Sequence, residues 1–374
     1  MQIDENFVLQ TTGLTTLTEI ARRAAGRDDL ELGAWRVASM AGGLGNPVSA
    51  GLFCVAGAGR AAGEPVEWSA VLKVIQSPAN VGYSDIGESD DMTHWNYWRR
   101  ELLLYRSGFL DTLPDGLVAP RFYGAGELPG DVAYLWLEEV SDDYPDGWPL
   151  ERYALAARHL GRLNGAHVGG QPWPQWPWLS RGRLWQWFAT LTEWRTLSWE
   201  HPAVSGYFPA AEVGTLRRLL WAHEEFLTRL DRLPQTVSHG DTYPTNFKAR
   251  RLAAGREETV ALDWALAGVC PIGYDLGSLA FGAYLNRPEA TLTKIDDALF
   301  TSYLDGLRDA GCRIDANTVR FGYTAAAALS IASFQFWMLD MLITQGHTGP
   351  VDLGRRGFEA AMAEWAWELW DGIH

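Results

Sequence analysis

The stretch 238-SHGDTYPTNF-247 contains the spacing H-G-D-x-x-x-x-N, formed by His239, Gly240, Asp241 and Asn246. A further aspartate, Asp263, follows in the segment VALDWA. Oxygen ligands on neighbouring short strands suit Mg²⁺, which is bound through few side chains together with the phosphates of a nucleotide. In phosphoryl transfer one carboxylate orients the acceptor hydroxyl and takes its proton, while other groups position and neutralise the phosphates. Taken alone, an aspartate and an asparagine at these positions are also typical of ordinary turns.

A second stretch, 273-GYDLGSLAF-281, extends the pattern. With the H-G-D-x-x-x-x-N spacing and Asp263, it resembles the catalytic segment of the aminoglycoside phosphotransferase and choline kinase family, whose fold is similar to that of protein kinases. The resemblance implies that Asp241 is the catalytic base, that Asn246 and Asp263 hold Mg²⁺, and that His239 braces the loop. It also implies that Asp275 caps a helix or ties down the catalytic loop.

The chain has 374 residues, more than one hydrophobic core usually supports, so two lobes are expected. Alternating apolar residues and glycine-bearing turns predict mainly strands between residues 35 and 140, and helical periodicity follows. With the resemblance, this predicts an α+β, bilobal, protein-kinase-like fold. Residues 1–140 form a small N-lobe with a five-stranded antiparallel sheet and one helix, and residues 141–374 form a larger, mostly helical C-lobe.

Lys73 lies in the apolar segment AVLKVI, where an unpaired ammonium is costly. Its candidate partner is Glu101 in WRRELLLYR, on a helix predicted to run from Thr93, as N-cap, to about Phe109. The resemblance implies that the lysine binds the phosphates of ATP and that the glutamate holds the lysine. The alternatives are surface solvation of each side chain, or pairing of the glutamate with the two arginines beside it.

The glycine-rich segment 42-GGLGNPVSAG-51 lies between the first two predicted strands, where the family places a loop over the phosphates. It departs from G-x-G-x-x-G because a valine occupies the third glycine position, and an ordinary turn is the alternative. Backbone groups are the candidates for phosphate contacts, around Gly45, Asn46 and Ser49. The segment LWLEEVSD resembles the family's hinge, which implies that the adenine edge binds the backbone of Glu139 and Val140.

The acceptor site is the least defined part of the prediction. The segment 169-GGQPWPQWPWLSRGRLWQWF-188 alternates proline with tryptophan, so it either walls the acceptor pocket as a rigid aromatic loop or packs against the lobe. Asp340, an acid within an apolar helix, either meets a cationic or polyhydroxy acceptor or turns to solvent. The acidic, tryptophan-rich composition favours a cationic or sugar-like acceptor. The resemblance implies an aminoglycoside, a macrolide, a choline-like alcohol or a sugar, of which an aminoglycoside or amino-sugar is ranked first.

Composition limits the partners. Lys and Arg number 31 and Asp and Glu 46, so the formal net charge is 31 minus 46, or -15, which disfavours nucleic acid and anionic membranes. No uncharged apolar run approaches the roughly 18 residues that span a bilayer, and no secretory signal is recognisable. The three cysteines form neither a disulfide framework nor a CxxC pair. A cytoplasmic protein is expected, and the oligomeric state is not readable.

The sequence therefore predicts an ATP- and Mg²⁺-dependent kinase acting on a hydroxyl of a small molecule. One alternative is a catalytically silent, nucleotide-binding regulatory protein, although the complete set of catalytic and metal-binding residues argues against it. Another is metal-dependent hydrolysis by His167, His239 and Asp241, although these histidines lack the HExxH spacing typical of zinc enzymes.

Overall fold

The computed structural model of the chain describes residues 13–42, 46, 48–81, 91–170, 172–190, 199–345 and 357–372, without the side chains at 190, 254, 338, 340–342, 344 and 345. The chain divides into two compact units. The first comprises Met1–Thr112, Val118–Ser141 and Val260–Ala265, and the second comprises Leu113–Leu117, Asp142–Thr259 and Leu266–His374. The functional division into residues 1–140 and 141–374 stays a prediction.

The strands are β1 (Glu31–Ser39), β2 (Ser49–Ala61), β3 (Glu64–Gln76), β4 (Leu117–Val118), β5 (Phe122–Leu128), β6 (Val132–Leu137), β7 (Ser180–Arg181), β8 (Gln235–Ser238), β9 (Phe247–Arg251), β10 (Glu257–Ala261) and β11 (Gly268–Pro271). The helices are α1 (Leu14–Ala25), α2 (Arg100–Arg106), α3 (Leu150–Val168), α4 (Arg183–Thr190), α5 (Pro202–Tyr207), α6 (Ala210–Trp221), α7 (His223–Arg232), α8 (Tyr274–Asn286), α9 (Leu292–Asp309), α10 (Ala316–Gln345) and α11 (Phe358–Glu368).

The first unit is built on an antiparallel sheet of five strands in the order β1-β2-β3-β6-β5. The β2–β3 hairpin turns at Ala62 and Gly63, whose φ angles of 51° and 84° are both left-handed. Such turns match the right-handed twist of the flanking strands, so long strands can pair without splaying. The predicted five-stranded antiparallel sheet is confirmed.

Helix α1 packs on this sheet and was not predicted. Its buried residues Leu17, Ile20 and Ala21 join a hydrophobic core with Phe53, Leu72 and other strand residues. The segment LTTLTEIARRAA does have apolar residues three and four apart, which is the signal for an amphipathic helix. The unit therefore carries a helix in addition to the predicted one.

The predicted helix after the loop is much shorter than expected and begins at Arg100 rather than after Thr93. The backbone N–H and the hydroxyl of Thr93 both donate hydrogen bonds to Asp91 Oδ1, at 2.8 Å each. The threonine therefore closes a turn instead of capping a helix. Turn bonds between residues three apart follow, including Tyr97 N to His94 O at 3.1 Å. The helical spacing in this part of the sequence therefore reflects successive turns.

The second unit is mainly helical, as predicted. Helices α3 and α9 approach closely because each presents glycine at the contact: a Cβ on Gly161 would lie 2.2 Å from Tyr303 O, and a Cβ on Gly306 would lie 2.0 Å from Arg158 O. Neither helix can carry a larger side chain there without moving apart. Among the described residues, no helix is both long and apolar enough to cross a bilayer.

Two small sheets lead into the predicted catalytic loop, residues 238–246, and into the turn at Asp263. One has the order β7-β11-β8, and its strand β8 leads directly into His239. The other has the order β4-β10-β9, and its strand β10 leads towards Asp263. Strands β8, β9 and β10 correspond to the three short strands that the sequence predicts. The two-residue β7 and the four-residue β11 were not predicted.

Candidate active site

Lys73 lies in β3, and its ammonium binds two carboxylates within the first unit. Its Nζ is 2.6 Å from Glu101 Oε2 and 2.9 Å from Asp263 Oδ1. The Lys73 and Glu101 side chains are only 12% and 2% exposed, whereas that of Asp263 is 39% exposed. The predicted pairing of lysine and glutamate is therefore present, and it includes Asp263, for which the family resemblance implies metal binding.

The three charges shift one another's ionisation. Burial favours the neutral amine, but the attraction of Asp263 and Glu101 outweighs it and raises the pKa of the Lys73 ammonium. Burial also raises the pKa of the Glu101 carboxyl, and the neighbouring ammonium opposes that rise. With all three groups ionised, one positive and two negative charges leave a net charge of -1. This excess suits a divalent cation and disfavours a phosphate that arrives without one.

The backbone at Asp263 is held in a conformation that few residues other than glycine adopt, with a φ of 54°. The next residue, Trp264, is fully buried and donates its indole N–H to Ala261 O at 2.8 Å. These contacts fix the turn and direct the Asp263 carboxylate towards Lys73.

Neither arginine beside Glu101 competes for it. The fully buried Arg100 donates to main-chain oxygens, at 2.6 Å to Trp95 O and 3.0 Å to Ala265 O. Arg99 forms an ion pair of 2.7 Å with Glu127. The alternative that these arginines pair with Glu101 is therefore wrong, and Arg100 instead links the start of α2 to the segment that follows Asp263.

The glycine-rich segment is described only in part, because Gly45 lies outside the described residues. Asn46 Oδ1 accepts hydrogen bonds from Val48 N at 3.1 Å and from Asn96 Nδ2 at 3.3 Å. Ser49 begins β2, and its N–H donates to Asn46 O at 3.0 Å. The asparagine side chain therefore shapes the loop, and phosphate binding by this segment stays a prediction.

The predicted hinge follows β6 directly. The exposed Glu139 accepts a hydrogen bond from Cys54 Sγ at 3.4 Å, which joins the hinge to β2, and Val140 is half-buried. Adenine binding by the backbone of these two residues stays a prediction.

In the second unit, Asp275 ties down the catalytic loop. This carboxylate in the first turn of α8 is 1% exposed, and it accepts hydrogen bonds from His239 N at 3.1 Å and Gly240 N at 3.0 Å. A third donor is Asn164 Nδ2, at 3.2 Å. The N-cap of α8 is Gly273, so of the two roles considered for the aspartate, tying down the loop is the one found.

Asp241, the predicted base, is half-buried, and the other motif residues hold its backbone. Its N–H donates to His239 Nδ1 at 3.2 Å, and its carbonyl accepts from Asn246 Nδ2 at 3.1 Å. Because Nδ1 accepts, the proton of the neutral ring is on Nε2. His239 is fully buried, so it braces the loop from inside the unit.

Two further residues support the loop and were missed in the sequence. Tyr303 donates its hydroxyl to Asn164 Oδ1 at 2.7 Å, and Asn164 Nδ2 donates to Val237 O at 2.8 Å as well as to Asp275. Burial raises the pKa of Tyr303 well above its usual range, so the hydroxyl keeps its proton. The only available signal was an asparagine at a buried position of a helical pattern, where an amide needs partners.

The donor atoms fit Mg²⁺. Asn246 uses Nδ2 for its bond to Asp241 O, so its Oδ1 is the atom suited to a cation. An amide oxygen and one carboxylate are typical of Mg²⁺ bound together with water and phosphate. Within the described ranges, no three or more His, Cys, Asp or Glu side chains form a group suited to a metal ion. The zinc alternative requires such a group at His167, His239 and Asp241 and finds no support.

The acceptor region is placed incompletely. The side chain of Asp340 lies outside the described part, although its backbone belongs to α10. In the proline- and tryptophan-rich segment, Trp176 and Trp178 stack with ring centroids 4.7 Å apart, and the Arg181 guanidinium lies 5.0 Å above the Trp173 ring. Strand β7 then joins this segment to β11.

No protein-family model and no curated protein sequence matches the chain. Solved structures do match in shape. A choline kinase from Cryptosporidium parvum Iowa II superposes with a TM-score of 0.55 at 12% identity, over 96% of this chain and 98% of that one. The amicoumacin kinase hAmiN, in complex with AMP-PNP, Ca²⁺ and Ami, superposes with a TM-score of 0.50 at 14% identity, over 99% of this chain and 94% of that one. The chain therefore has the protein-kinase-like fold of these two small-molecule kinases, which is the fold that its motifs predict.

Proposed function

We propose that the protein is an ATP-dependent kinase that transfers the γ-phosphate to a hydroxyl of a small molecule. The observation that carries the proposal is the buried Lys73, paired with both Glu101 and the partly exposed Asp263. Burying an ammonium with two carboxylates adds little stability, because desolvation offsets the attraction. A nucleotide site gives a reason for the arrangement, since the lysine meets phosphate oxygens and the aspartate meets a metal ion.

Each residue has a defined task in this reaction. Lys73 binds the α- and β-phosphates, and Glu101 keeps its ammonium in place. Asp241 orients the acceptor hydroxyl and takes its proton as the acceptor oxygen bonds to the γ-phosphorus and the bond from that phosphorus to the bridging oxygen of ADP breaks. Asn246 and Asp263 would hold Mg²⁺, and the bound ion would neutralise charge on the phosphates. His239 and Asp275 fix the loop so that Asp241 needs no rearrangement when the acceptor arrives.

The acceptor is proposed at the level of a class. The two matched structures are those of a choline kinase and an amicoumacin kinase, which supports a hydroxyl-bearing small molecule. The net charge of -15 and the stacked tryptophans of segment 169–188 support a cationic or sugar-like acceptor, so we rank an aminoglycoside or amino-sugar first. Asp340 is the proposed acidic contact. An ATP-consuming reaction of this kind also supports the predicted cytoplasmic location.

A catalytically silent, nucleotide-binding regulatory protein is the second candidate. It also accounts for Lys73 and Glu101, but it gives no reason for Asp241 to be held by His239 and Asn246. Tight nucleotide binding without turnover on a broad panel of alcohols would favour this candidate.

The test is turnover by the whole chain and by its Asp241→Asn variant. A thermal-shift screen of hydroxylated metabolites and antibiotics, with Mg²⁺ and a non-hydrolysable ATP analogue, first identifies acceptors by the rise in melting temperature. Acceptor phosphorylation, or slow ATP hydrolysis where no acceptor is found, is then measured. We expect the variant to lose at least about 100-fold in kcat with nucleotide affinity retained. Equal turnover by both proteins would remove Asp241 from the mechanism.

A further inference from the structure

We propose that Arg183 is a positioning residue for the catalytic base, because it fixes the peptide group that joins Gly240 to Asp241. The inference deepens the proposed kinase function and rests on it. Arg183 begins α4, within the proline- and tryptophan-rich segment 169–188, and its guanidinium donates to the carbonyl oxygen of Gly240. The aminoglycoside phosphotransferase resemblance gave this arginine no role.

The backbone at Gly240 allows little movement. Its φ is 85°, in the left-handed region, and a Cβ at this position would lie 2.1 Å from Leu266 O. Its N–H donates to Asp275 Oδ1 at 3.0 Å. The peptide on the N-terminal side of Gly240 is therefore held by a buried carboxylate, and only a glycine fits.

The peptide on the other side is held at both of its ends. Its carbonyl, Gly240 O, accepts from Arg183, and its N–H, Asp241 N, donates to His239 Nδ1 at 3.2 Å. A planar peptide that is bonded at both the oxygen and the nitrogen cannot rotate without breaking one of the two bonds. Rotation of this plane would swing the Cα–Cβ bond of Asp241, and hence the carboxylate that faces the acceptor. Arg183 thus restrains the direction of the base through the backbone.

Arg183 is itself anchored to the catalytic segment. Strand β7 pairs in parallel with β11, with Ser180 opposite Gly268, and β11 pairs with β8, which ends next to His239. A Cβ on Gly268 would lie 2.7 Å from Ser180 O, so β7 can reach β11 this closely only because a glycine is present. Farther along α4, Trp187 donates to Ser333 Oγ at 2.9 Å. The guanidinium therefore projects from a fixed base, which a positioning role requires.

The chain supplies a matched control two residues earlier. Arg181 belongs to the same segment, and its exposed side chain contacts Gln175 and the Trp173 ring rather than the catalytic loop. The experiment compares Arg183→Met, Arg181→Met and Arg183→Lys with the unaltered protein. Lysine keeps the charge and a donor, so it distinguishes loss of the bond to Gly240 O from loss of packing.

Two readouts are measured on all four proteins. Hydrogen–deuterium exchange of the peptide covering residues 238–246 reports the loop directly and needs neither acceptor nor turnover. We expect exchange at least about fivefold faster in Arg183→Met, partial recovery in Arg183→Lys, and no change in Arg181→Met. Steady-state kinetics should show a fall in kcat of about 10- to 100-fold in Arg183→Met at nearly constant KM for ATP, with most activity regained in Arg183→Lys.

The two readouts separate the possible failures. If the unaltered protein turns over no substrate and hydrolyses no ATP, the proposed function fails, and the exchange measurement alone decides whether Arg183 fixes the loop. Unchanged exchange in Arg183→Met, or a kcat within about twofold of that of the unaltered protein, overturns the inference. Should Arg183→Met fail to fold, Arg183→Lys and Arg183→Gln take its place, and equal exchange in all variants again overturns it.

Discussion

Replacing Asp275 with asparagine should destabilise the catalytic loop far more than removing a carboxylate from the surface. The two carboxylate oxygens of Asp275 accept three hydrogen bonds: Oδ1 from Gly240 N, and Oδ2 from His239 N and Asn164 Nδ2. An amide has a single accepting oxygen. In its better orientation it keeps the two bonds at the Oδ2 position and places its NH₂ group against the N–H of Gly240, donor facing donor.

The magnitude follows from the lost charge and the unsatisfied donor. A hydrogen bond to a charged group contributes about 1.5–3 kcal/mol, and a buried donor without a partner costs about 1–3 kcal/mol. We therefore expect Asp275→Asn to lower the free energy of unfolding by about 3 kcal/mol. For a unit of this size that corresponds to a fall of roughly 6–12 °C in melting temperature. Hydrogen exchange in residues 238–246 should accelerate as well.

The matched control is Asp309→Asn. Asp309 also binds more than one donor, at 2.7 Å from Arg158 and 2.8 Å from Arg162, but all three side chains are partly exposed. Solvent screening limits such pairs to at most about 1 kcal/mol each. A loss of stability in Asp275→Asn no larger than that in Asp309→Asn, or unchanged exchange in the loop, would refute the account of how the loop is held.

Three further outcomes are expected. His159 is buried, and its pKa in the folded protein is lowered to about 3, mainly by burial and also by repulsion from nearby arginines. The pKa of a histidine in the unfolded chain is about 6.5, so between these two values only the unfolded chain takes up the proton. The contribution of this residue to the free energy of unfolding is thus fully present above about pH 6.5 and is lost as pH falls. Urea unfolding should show a loss of about 2 kcal/mol between about pH 7 and pH 5, and the His159→Gln variant should not show this pH-dependent loss. Asp263→Asn brings the net charge of the cluster of Lys73, Glu101 and Asp263 from -1 to 0. Calorimetry in EDTA should therefore show about tenfold tighter binding of a non-hydrolysable ATP analogue without metal. A larger gain in affinity on adding Mg²⁺ than in the unaltered protein would contradict this. Lys73→Met should lower the free energy of unfolding by about 3–5 kcal/mol, because it leaves Glu101 buried and unpaired. The double variant Lys73→Met, Glu101→Gln should recover most of that loss, and additive losses would show that the two residues are not coupled.

The sequence predicts the parts of the site in which a charged side chain lies in an apolar segment, because a buried charge requires a partner of opposite charge. Lys73 stands in an apolar strand, so a carboxylate partner was required, and the next helix offered Glu101. The β2–β3 hairpin and the five-stranded sheet follow from alternating apolar residues and from glycines at turns. In these places a local pattern and the tertiary structure impose the same requirement.

Other features depend on contacts that hydrophobic periodicity and residue type do not predict. Thr93 has the residue type of an N-cap, but Asp91 two positions earlier captures both of its donors and produces a turn. Arg183 binds a main-chain carbonyl 57 positions away, and any surface arginine has the same local signature. No alternating pattern marks β7 or β11, and their parallel pairing depends on Gly268, which lets the two backbones approach.

The three aspartates of the catalytic segment are chemically identical in the sequence, and the fold gives each a different task through its surroundings. Asp275 is almost fully buried and accepts hydrogen bonds from the backbone N–H groups of His239 and Gly240, so its carboxylate holds the loop in place. Asp263 is partly exposed beside an ammonium, on a backbone that packing holds in the left-handed region, which supports its proposed role in holding a metal ion. Asp241 has its N–H and carbonyl fixed by the motif's own histidine and asparagine. The motif spacing therefore specifies which backbone groups meet, and burial decides which carboxylate is structural and which is available for chemistry.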